Sequence, residues 1–167
     1  KIPLEHFLDF CPKLMPRYYT ISSSSSVHPK TVHLTVSVTE TTKKDGSIYK
    51  GICSSFLAGS KRKNIRVFNR ESSFRLPTDP TKPILMIGPG TGIAPMRALL
   101  QEREYLRDRK RQKVGKNVLY FGCKSQSQDY LYQSELENYN KSGLLTQLHV
   151  AFSRDQEEKI YVQHLLE

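Results

Sequence analysis

Long apolar runs are missing from this sequence: none approaches the roughly 18 residues of a membrane span, so no spanning helix is expected within it. No cleavable signal pattern opens it either. Cysteine is scarce. Cys11, Cys53 and Cys123 are odd in number and far apart, which argues against a zinc site or a disulfide framework and predicts reduced thiols facing the cytosol. No metal ligand set is expected. Acidic residues are in deficit as well, 16 against 26 Lys and Arg, for a formal charge of +10. The surplus falls in two runs. One is Lys61-Arg62-Lys63 with Arg66, Arg70 and Arg75; the other is Arg103, Arg107, Arg109, Lys110, Arg111, Lys113 and Lys116. A nucleic-acid surface would interleave aromatics with these cations on an exposed face. Here the aromatics fall mostly on apolar strand and helix patterns. The second run therefore reads as the solvated end of a helix, where cations suit the C-terminal dipole. No nucleic-acid partner is expected, and an anionic protein surface stays open.

With 167 residues, 37% hydrophobic, the chain suits one ordinary domain or two small ones. Leu4, Phe7, Leu8 and Leu14 have helical spacing until Pro12 and Pro16 stop it. Arg17 to Ser22 reads as a strand closing in five serines, a run that on its own would be a flexible linker. A strand pattern returns at Val32, Leu34, Val36 and Val38. A turn at Lys44-Asp45-Gly46-Ser47 leads into a further strand, and Gly51 to Leu57 is a helix start. Residues 65–68 and 72–76 read as short strands. Residues 17 to about 80 are thus expected to be antiparallel β with one helix.

After Pro77 and Pro80 the pattern changes. Strands are expected at 84–87, 117–122 and 145–152, and helices from Ala94 to about Arg109 and from Tyr130 to Tyr139. A final helix is expected from Glu157 or Lys159 to Glu167. Alternation of strand and helix predicts a parallel sheet with helices on both faces.

Two places carry chemistry. The apolar run 84–87 is followed by glycines at every second position, Gly88, Gly90 and Gly92, and then by a helix. Such a turn lets a phosphate or flat ring approach the backbone, and the helix start favours an anion. A plain Gly-Pro-Gly turn would look alike. No Walker-type lysine follows, and Ile93 stands where the usual Rossmann fingerprint has its last glycine. The second strand ends Gly122-Cys123-Lys124, without the acid that an NAD site places there. Asp129 reads as a cap for the helix from Tyr130. In the first half, Arg17 and Tyr19 would share one strand face, with Thr20 beyond. These could offer a cation, a stacking ring and a hydroxyl.

The segments RYYTISSSS, KGICSSFL, FRLP, MIGPGTGIAP, LYFGCK, DYLYQSEL and AFSRDQEEKIYVQHLL occur in an order that closely resembles the two-flavin branch of the ferredoxin–NADP reductase superfamily. The resemblance covers nearly the whole chain. It implies an incomplete antiparallel β-barrel of the ferredoxin reductase type, followed by an incomplete doubly wound α/β parallel sheet. Residues 1–16 would end a helical connecting region, 17–82 would be FAD-binding barrel, and 83–167 would bind NADPH. Arg17 would pair with the FAD pyrophosphate, Tyr18 would be among the cofactor-binding residues, Tyr19 would stack on the isoalloxazine, and Thr20 would be the catalytic hydroxyl where the family usually has serine. Gly51, Ile52, Cys53 and Ser54 would cover the FAD phosphates. Gly88, Gly90, Thr91 and Gly92 would take the NADPH pyrophosphate and ribose; Ser153, Arg154, Lys159, Tyr161 and Gln163 would hold the 2′-phosphate.

The implied activity is hydride transfer from NADPH to FAD, then electron transfer through FMN to a haem protein such as cytochrome P-450. The FMN domain and a membrane anchor would lie upstream, placing the parent on the cytoplasmic face of the endoplasmic reticulum, with no membrane contact by this segment. The chain is therefore expected to be an internal segment of a longer reductase, not competent alone. It does not contain the cysteine, carboxylate and terminal aromatic that the family places near the nicotinamide and flavin. The ending KIYVQHLL favours the microsomal, haem-reducing type. Methionine synthase reductase and the sulfite reductase flavoprotein remain alternatives.

Overall fold

The computed structural model describes residues 2–59 and 64–166. Lys61, Arg62 and Lys63 of the first basic run lie outside the described residues, as does Glu167 at the end of the expected last helix. The chain opens with a short helix, α1 (Leu4–Phe10), which buries none of its residues.

Antiparallel structure in the first half is sparser than the alternation predicts. Among the described residues only β1 (Glu40–Thr42) and β2 (Ile48–Lys50) pair, around a turn in which Asp45 accepts from Ser47 and Gly46 has φ +81°. Residues 17–22 and 32–38 form no ladder, apart from a single bridge, Ile21 to Leu34. The reason is local. Ser22 N–H donates to His33 O at 2.8 Å, but the return donor His33 N–H goes to Ser23 Oγ at 3.0 Å. A side-chain acceptor has taken the place of a strand carbonyl, which ends pairing after one bridge. Residues 65–68 and 72–76 are also not strands; Val67 is 83% exposed. A pleated segment without a neighbour leaves its backbone groups to water and gains nothing from alternation. Helix α2 (Ile52–Gly59) follows Gly51 as expected. Gly51 has no room for a side chain: a Cβ there would lie 2.7 Å from Ser54 Oγ and 2.9 Å from Thr39 Cβ.

The second half follows its pattern closely. β3 (Ile84–Pro89), β4 (Asn117–Cys123) and β5 (Gln147–Phe152) form a parallel sheet in the order β3-β4-β5. Between them run α3 (Ile93–Glu104), α4 (Gln126–Asp129) and α5 (Gln133–Lys141). Met86, Leu119 and Phe121 from the sheet pack with Ile93, Met96 and Leu100 from α3 and with Leu136 and Tyr139 from α5. Complete burial of a Leu, Ile or Phe contributes about 1.5–3 kcal/mol, so this cluster is the main store of stability.

Among the described residues the sheet carries helices on one face, where α3 and α5 lie side by side. On the other, Leu85 and Ile87 are exposed, while Tyr120 stacks on His149 at 4.4 Å. Two strand-to-strand crossovers in the same direction, with the same hand, put both helices on the same side. The helix from Tyr130 starts late, at Gln133, because Tyr132 adopts the left-handed conformation (φ 59°). The last expected helix is reduced to a 3-10 turn, Val162–Leu165.

Arg103 departs from its predicted solvated position. It is fully buried and donates from Nη1 to Pro80 O and from Nη2 to Lys82 O at 2.8 Å. The rest of the second run follows α3. Tyr105–Arg109 is a π turn that ends in exposed Arg109, and Lys110, Arg111, Lys113 and Lys116 are exposed beyond it. The five serines are no linker either. Ser22, Ser23 and Ser24 are buried against α3, where Gln101 Oε1 accepts from Ser24 N–H and Glu102 accepts from the Ser24 and Ser26 hydroxyls.

Candidate functional site

The glycine turn sits at the C-terminal edge of the sheet, where open α/β sheets place their ligands. Gly90, Thr91 and Gly92 form one 3-10 turn between β3 and α3. Gly88 is required by close approach, since a Cβ would fall 2.6 Å from Gly92 O. Gly90 is in the left-handed region (φ +56°), and nothing lies within 4 Å of the place where its Cβ would be. Space above the turn is thus open. No side chain caps the 3-10 turn or the start of α3, and the Ile93 N–H that opens α3 donates back to Gly90 O and Thr91 O of the turn.

Facing the turn is the segment after Arg17. A cleft of about 290 Å³ is lined by Tyr18, Tyr19 and Thr20 from that segment, by Thr35 and Ser37, and by Thr91 and Ala94 from the turn and α3. Both chemical motifs of the sequence therefore open onto one space. Its lining offers two tyrosine side chains, for stacking, and the hydroxyls of Thr20, Thr35, Ser37 and Thr91, for hydrogen bonding. Tyr19 also bonds Cys53 of α2; that bond and burial raise its pKa, while nearby Arg17 lowers it. The RYYT segment and the helix start at Gly51–Ser54 are thereby neighbours. Ser54 itself is buried and structural: its hydroxyl accepts from Thr39 N–H and donates to Gly51 O.

Some residues sit otherwise than the strand reading placed them. Arg17 and Tyr19 are not side by side on a strand, because no strand forms there. The Arg17 guanidinium donates to the nearby Met15 carbonyl. Tyr18 packs edge-on against Phe68, with Arg70 above its ring. Asp129 does not cap the helix at Gln133. It ends α4 and reaches back to accept from Lys124 N–H and Ser125 N–H at 2.9 and 2.8 Å.

Beyond β5 the backbone continues its partnership with β4, Ser153 N–H donating to Cys123 O and Arg154 N–H to Lys124 O. Arg154, Lys159, Tyr161 and Gln163 are exposed on the loop and 3-10 turn that follow. Val162 closes over Gly122: a Cβ at Gly122 would be 3.0 Å from Val162 Cγ1. These residues therefore lie on one stretch of chain, which returns to the sheet at Val162.

A larger hollow, about 490 Å³, lies between α3 and α5 and is lined by Glu104, Asp108, Glu135 and Tyr139. None of the candidate site residues lines it, although Glu135 of the DYLYQSEL segment and Arg107 of the second basic run do. Among the described residues no cluster of His, Cys, Asp or Glu could hold a metal ion, and no helix is long and apolar enough to cross a membrane. Sequence reasoning missed Thr35 and Ser37 in the cleft, and the polar contacts of Arg97, Gln101 and Glu102 with the serine run. The alternation at 32–38 was the only available signal for the first two.

Comparison with known proteins finds two families along the chain. Residues 1–56 match the family of the FAD binding domain, and residues 86–167 match the oxidoreductase NAD-binding domain. Over 170 residues, 99% of this chain and 25% of the relative, it is 50% identical to an NADPH–cytochrome P450 reductase of Drosophila melanogaster. The corresponding protein of Mus musculus is 47% identical over 171 residues, and that of Homo sapiens 45%, each covering 98% of this chain and 25% of the relative. The chain thus spans about a quarter of the length of these relatives. Over nearly its whole length the chain is similar to one quarter of an NADPH–cytochrome P450 reductase, with one segment matching an FAD binding domain and another an oxidoreductase NAD-binding domain.

Proposed function

We propose that this chain is the flavin–nicotinamide junction of a reductase that takes hydride from NADPH into FAD and passes electrons through FMN to a haem protein such as cytochrome P-450. The observation that carries this reading is the shared cleft, which brings Tyr19 and Thr20 against Thr91 and the glycine turn. FAD, when bound, supplies two-electron acceptance and one-electron release; the protein supplies binding and orientation. Tyr19 offers the stacking face and Thr20 the hydroxyl beside the reacting ring. Gly51, Ile52, Cys53 and Ser54 offer a helix start for the FAD phosphates, with Arg17 as counter-charge. Gly88, Gly90, Thr91 and Gly92 offer the turn for the NADPH pyrophosphate.

Residues 17–82 would belong to an incomplete barrel and 83–167 to an incomplete doubly wound sheet, with 1–16 the end of a connecting region. The FMN domain and a membrane anchor would lie elsewhere in the parent, on the cytoplasmic face of the endoplasmic reticulum. Specificity for NADPH would rest on Ser153, Arg154, Lys159, Tyr161 and Gln163. A phosphate monoester carries nearly two negative charges, which two cations and two hydroxyls match. Each charged hydrogen bond is worth roughly 1.5–3 kcal/mol. The Arg154→Ala, Lys159→Ala double variant of the full-length reductase should therefore lose about a hundredfold or more in kcat/KM for NADPH. NADH turnover should change little. Steady-state kinetics with both nucleotides decide it, and an unchanged NADPH/NADH ratio places the anion pocket elsewhere.

A further inference from the structure

Arg97 stands on the first turns of α3, five residues past Gly92, with only 11% of its side chain exposed. Its Nε donates to Glu135 Oε2 of α5 at 2.9 Å, and its Nη1 donates to Ser22 O at 2.8 Å. The same Nη1 lies 3.3 Å from His33 Nδ1, and the guanidinium carbon sits 4.5 Å from the centre of the Tyr132 ring. Tyr132 in turn places its hydroxyl 2.7 Å from Thr35 Oγ1, and Thr35 lines the cleft. One guanidinium therefore joins the helix that continues the glycine turn to the segment that begins two residues after Thr20.

We propose that Arg97 is a positioning residue for hydride transfer: it sets the distance and tilt at which the glycine turn presents the nicotinamide to the flavin side of the cleft. The proposal rests on the flavin–nicotinamide reading of that cleft. Planarity is the reason an arginine is needed. Its fork serves two acceptors in fixed directions while its face rests on an aromatic ring, and a lysine ammonium can serve such partners only as a point charge. The contacts of Gln101 and Glu102 with Ser24 and Ser26 lie farther along α3. Without Arg97 these keep the halves attached, but the end of α3 nearest the cleft is free to tilt. Hydride transfer is steeply sensitive to such placement, an error near 1 Å costing up to about a hundredfold.

The test uses the full-length reductase with Arg97→Met and Arg97→Lys. FAD content, affinity for 2′,5′-ADP (which probes the phosphate pocket alone), and flavin reduction by NADPH in stopped flow are measured, with the nicotinamide–flavin charge-transfer band. Flavin content and 2′,5′-ADP affinity should stay within twofold. Reduction per bound flavin should fall about tenfold or more in the Met variant and less in the Lys variant, with a weaker charge-transfer band. Should the Met variant not fold, a fall of threefold or more in the Lys variant supports the proposal in its place. Reduction within twofold of the parent in the folded variants, even with a lowered Tm, overturns the proposal. Failure of the unsubstituted reductase to reduce its flavin with NADPH would instead remove the cleft reading beneath it.

Discussion

Burial changes the acid–base behaviour of individual side chains here, and two of them give direct tests. The Cys123 thiol is buried, and desolvation together with the carboxylates of Asp129 and Asp155 pushes its pKa up to about 12. Thiolate is the reactive form, so this cysteine is almost inert near neutrality. In the native protein at pH 8, a maleimide should label exposed Cys11 at least tenfold faster than Cys123, as peptide mass spectrometry can follow. Equal rates would mean that β4 is not packed as described. Glu104 shows the same balance in a carboxyl group. Its carboxyl is raised above the usual 4.5, by burial first and then by Asp108, against a bond from Tyr139 that lowers it. The Tyr139 phenol, itself held protonated by burial, shares its proton between Glu104 and Glu135 at 3.4 and 3.2 Å. A carboxyl whose folded pKa is raised contributes stability below its unfolded pKa, and that stability is lost as pH rises through the folded value. Urea midpoints should therefore fall as pH climbs upward from about 4.5, and Glu104→Gln should flatten that part of the profile. An identical profile in the variant would contradict the burial of this carboxyl.

At the scale of elements, the glycine turn and the strands beside it were legible because their signals are local. Three apolar runs of strand length, each followed by a helical period, leave little choice but a parallel sheet. The turn's glycines are not equivalent, however, and only their surroundings say so. A Cβ on Gly88 meets the Gly92 backbone at 2.6 Å, whereas one on Gly92 meets only Pro89 Cδ at 3.6 Å. Gly88→Ala should cost about 1–3 kcal/mol in urea unfolding, the scale of overpacking against atoms that cannot move aside. Gly92→Ala should stay within about 0.5 kcal/mol. Similar losses in both would show that the turn is not closed as described. The antiparallel half was read less well. A hydrophobic alternation says which face a strand would bury, but pairing needs a neighbour, and Ser23 Oγ takes the His33 N–H that a second bridge would use.

Across the whole molecule, the two halves are joined by buried polar groups rather than by apolar area. Arg103 ties α3 to the segment that connects them, through the carbonyls of Pro80 and Lys82, and no carboxylate is bonded to it among the described residues. Desolvation lowers its pKa, with partial compensation from Asp79. Arg103→Met keeps much of the volume but removes the donor to Lys82 O and one of the two donors to Pro80 O, which keeps its bond from Gly115 N–H; each hydrogen bond lost at a buried group costs about 1–3 kcal/mol. The variant should lose about 2–4 kcal/mol in chemical denaturation, well above the roughly half kilocalorie expected for Arg109→Met at an exposed position of the same run. Equal effects would return Arg103 to the solvated face that the charge pattern suggests. Gly115 belongs to the same junction: a Cβ there would lie 2.3 Å from Thr81 O and 2.5 Å from Lys82 O.

By itself the sequence determined the order of the halves, the parallel sheet, the glycine turn and the motifs that match an FAD binding domain and an oxidoreductase NAD-binding domain. Such features repeat at short range, through periods of two or 3.6 residues or through glycines that a turn requires. Tertiary structure alone decided that Arg103 is buried, that the serines dock on α3, that Asp129 caps backwards onto Lys124 and Ser125, and that Arg97 spans three segments. A polar side chain has the same place in a composition or a charge run whether it meets water or a carbonyl about 20 residues away. Its partner exists only once distant segments have been brought together, and the cost of leaving a buried polar group unpaired then makes that partner decisive.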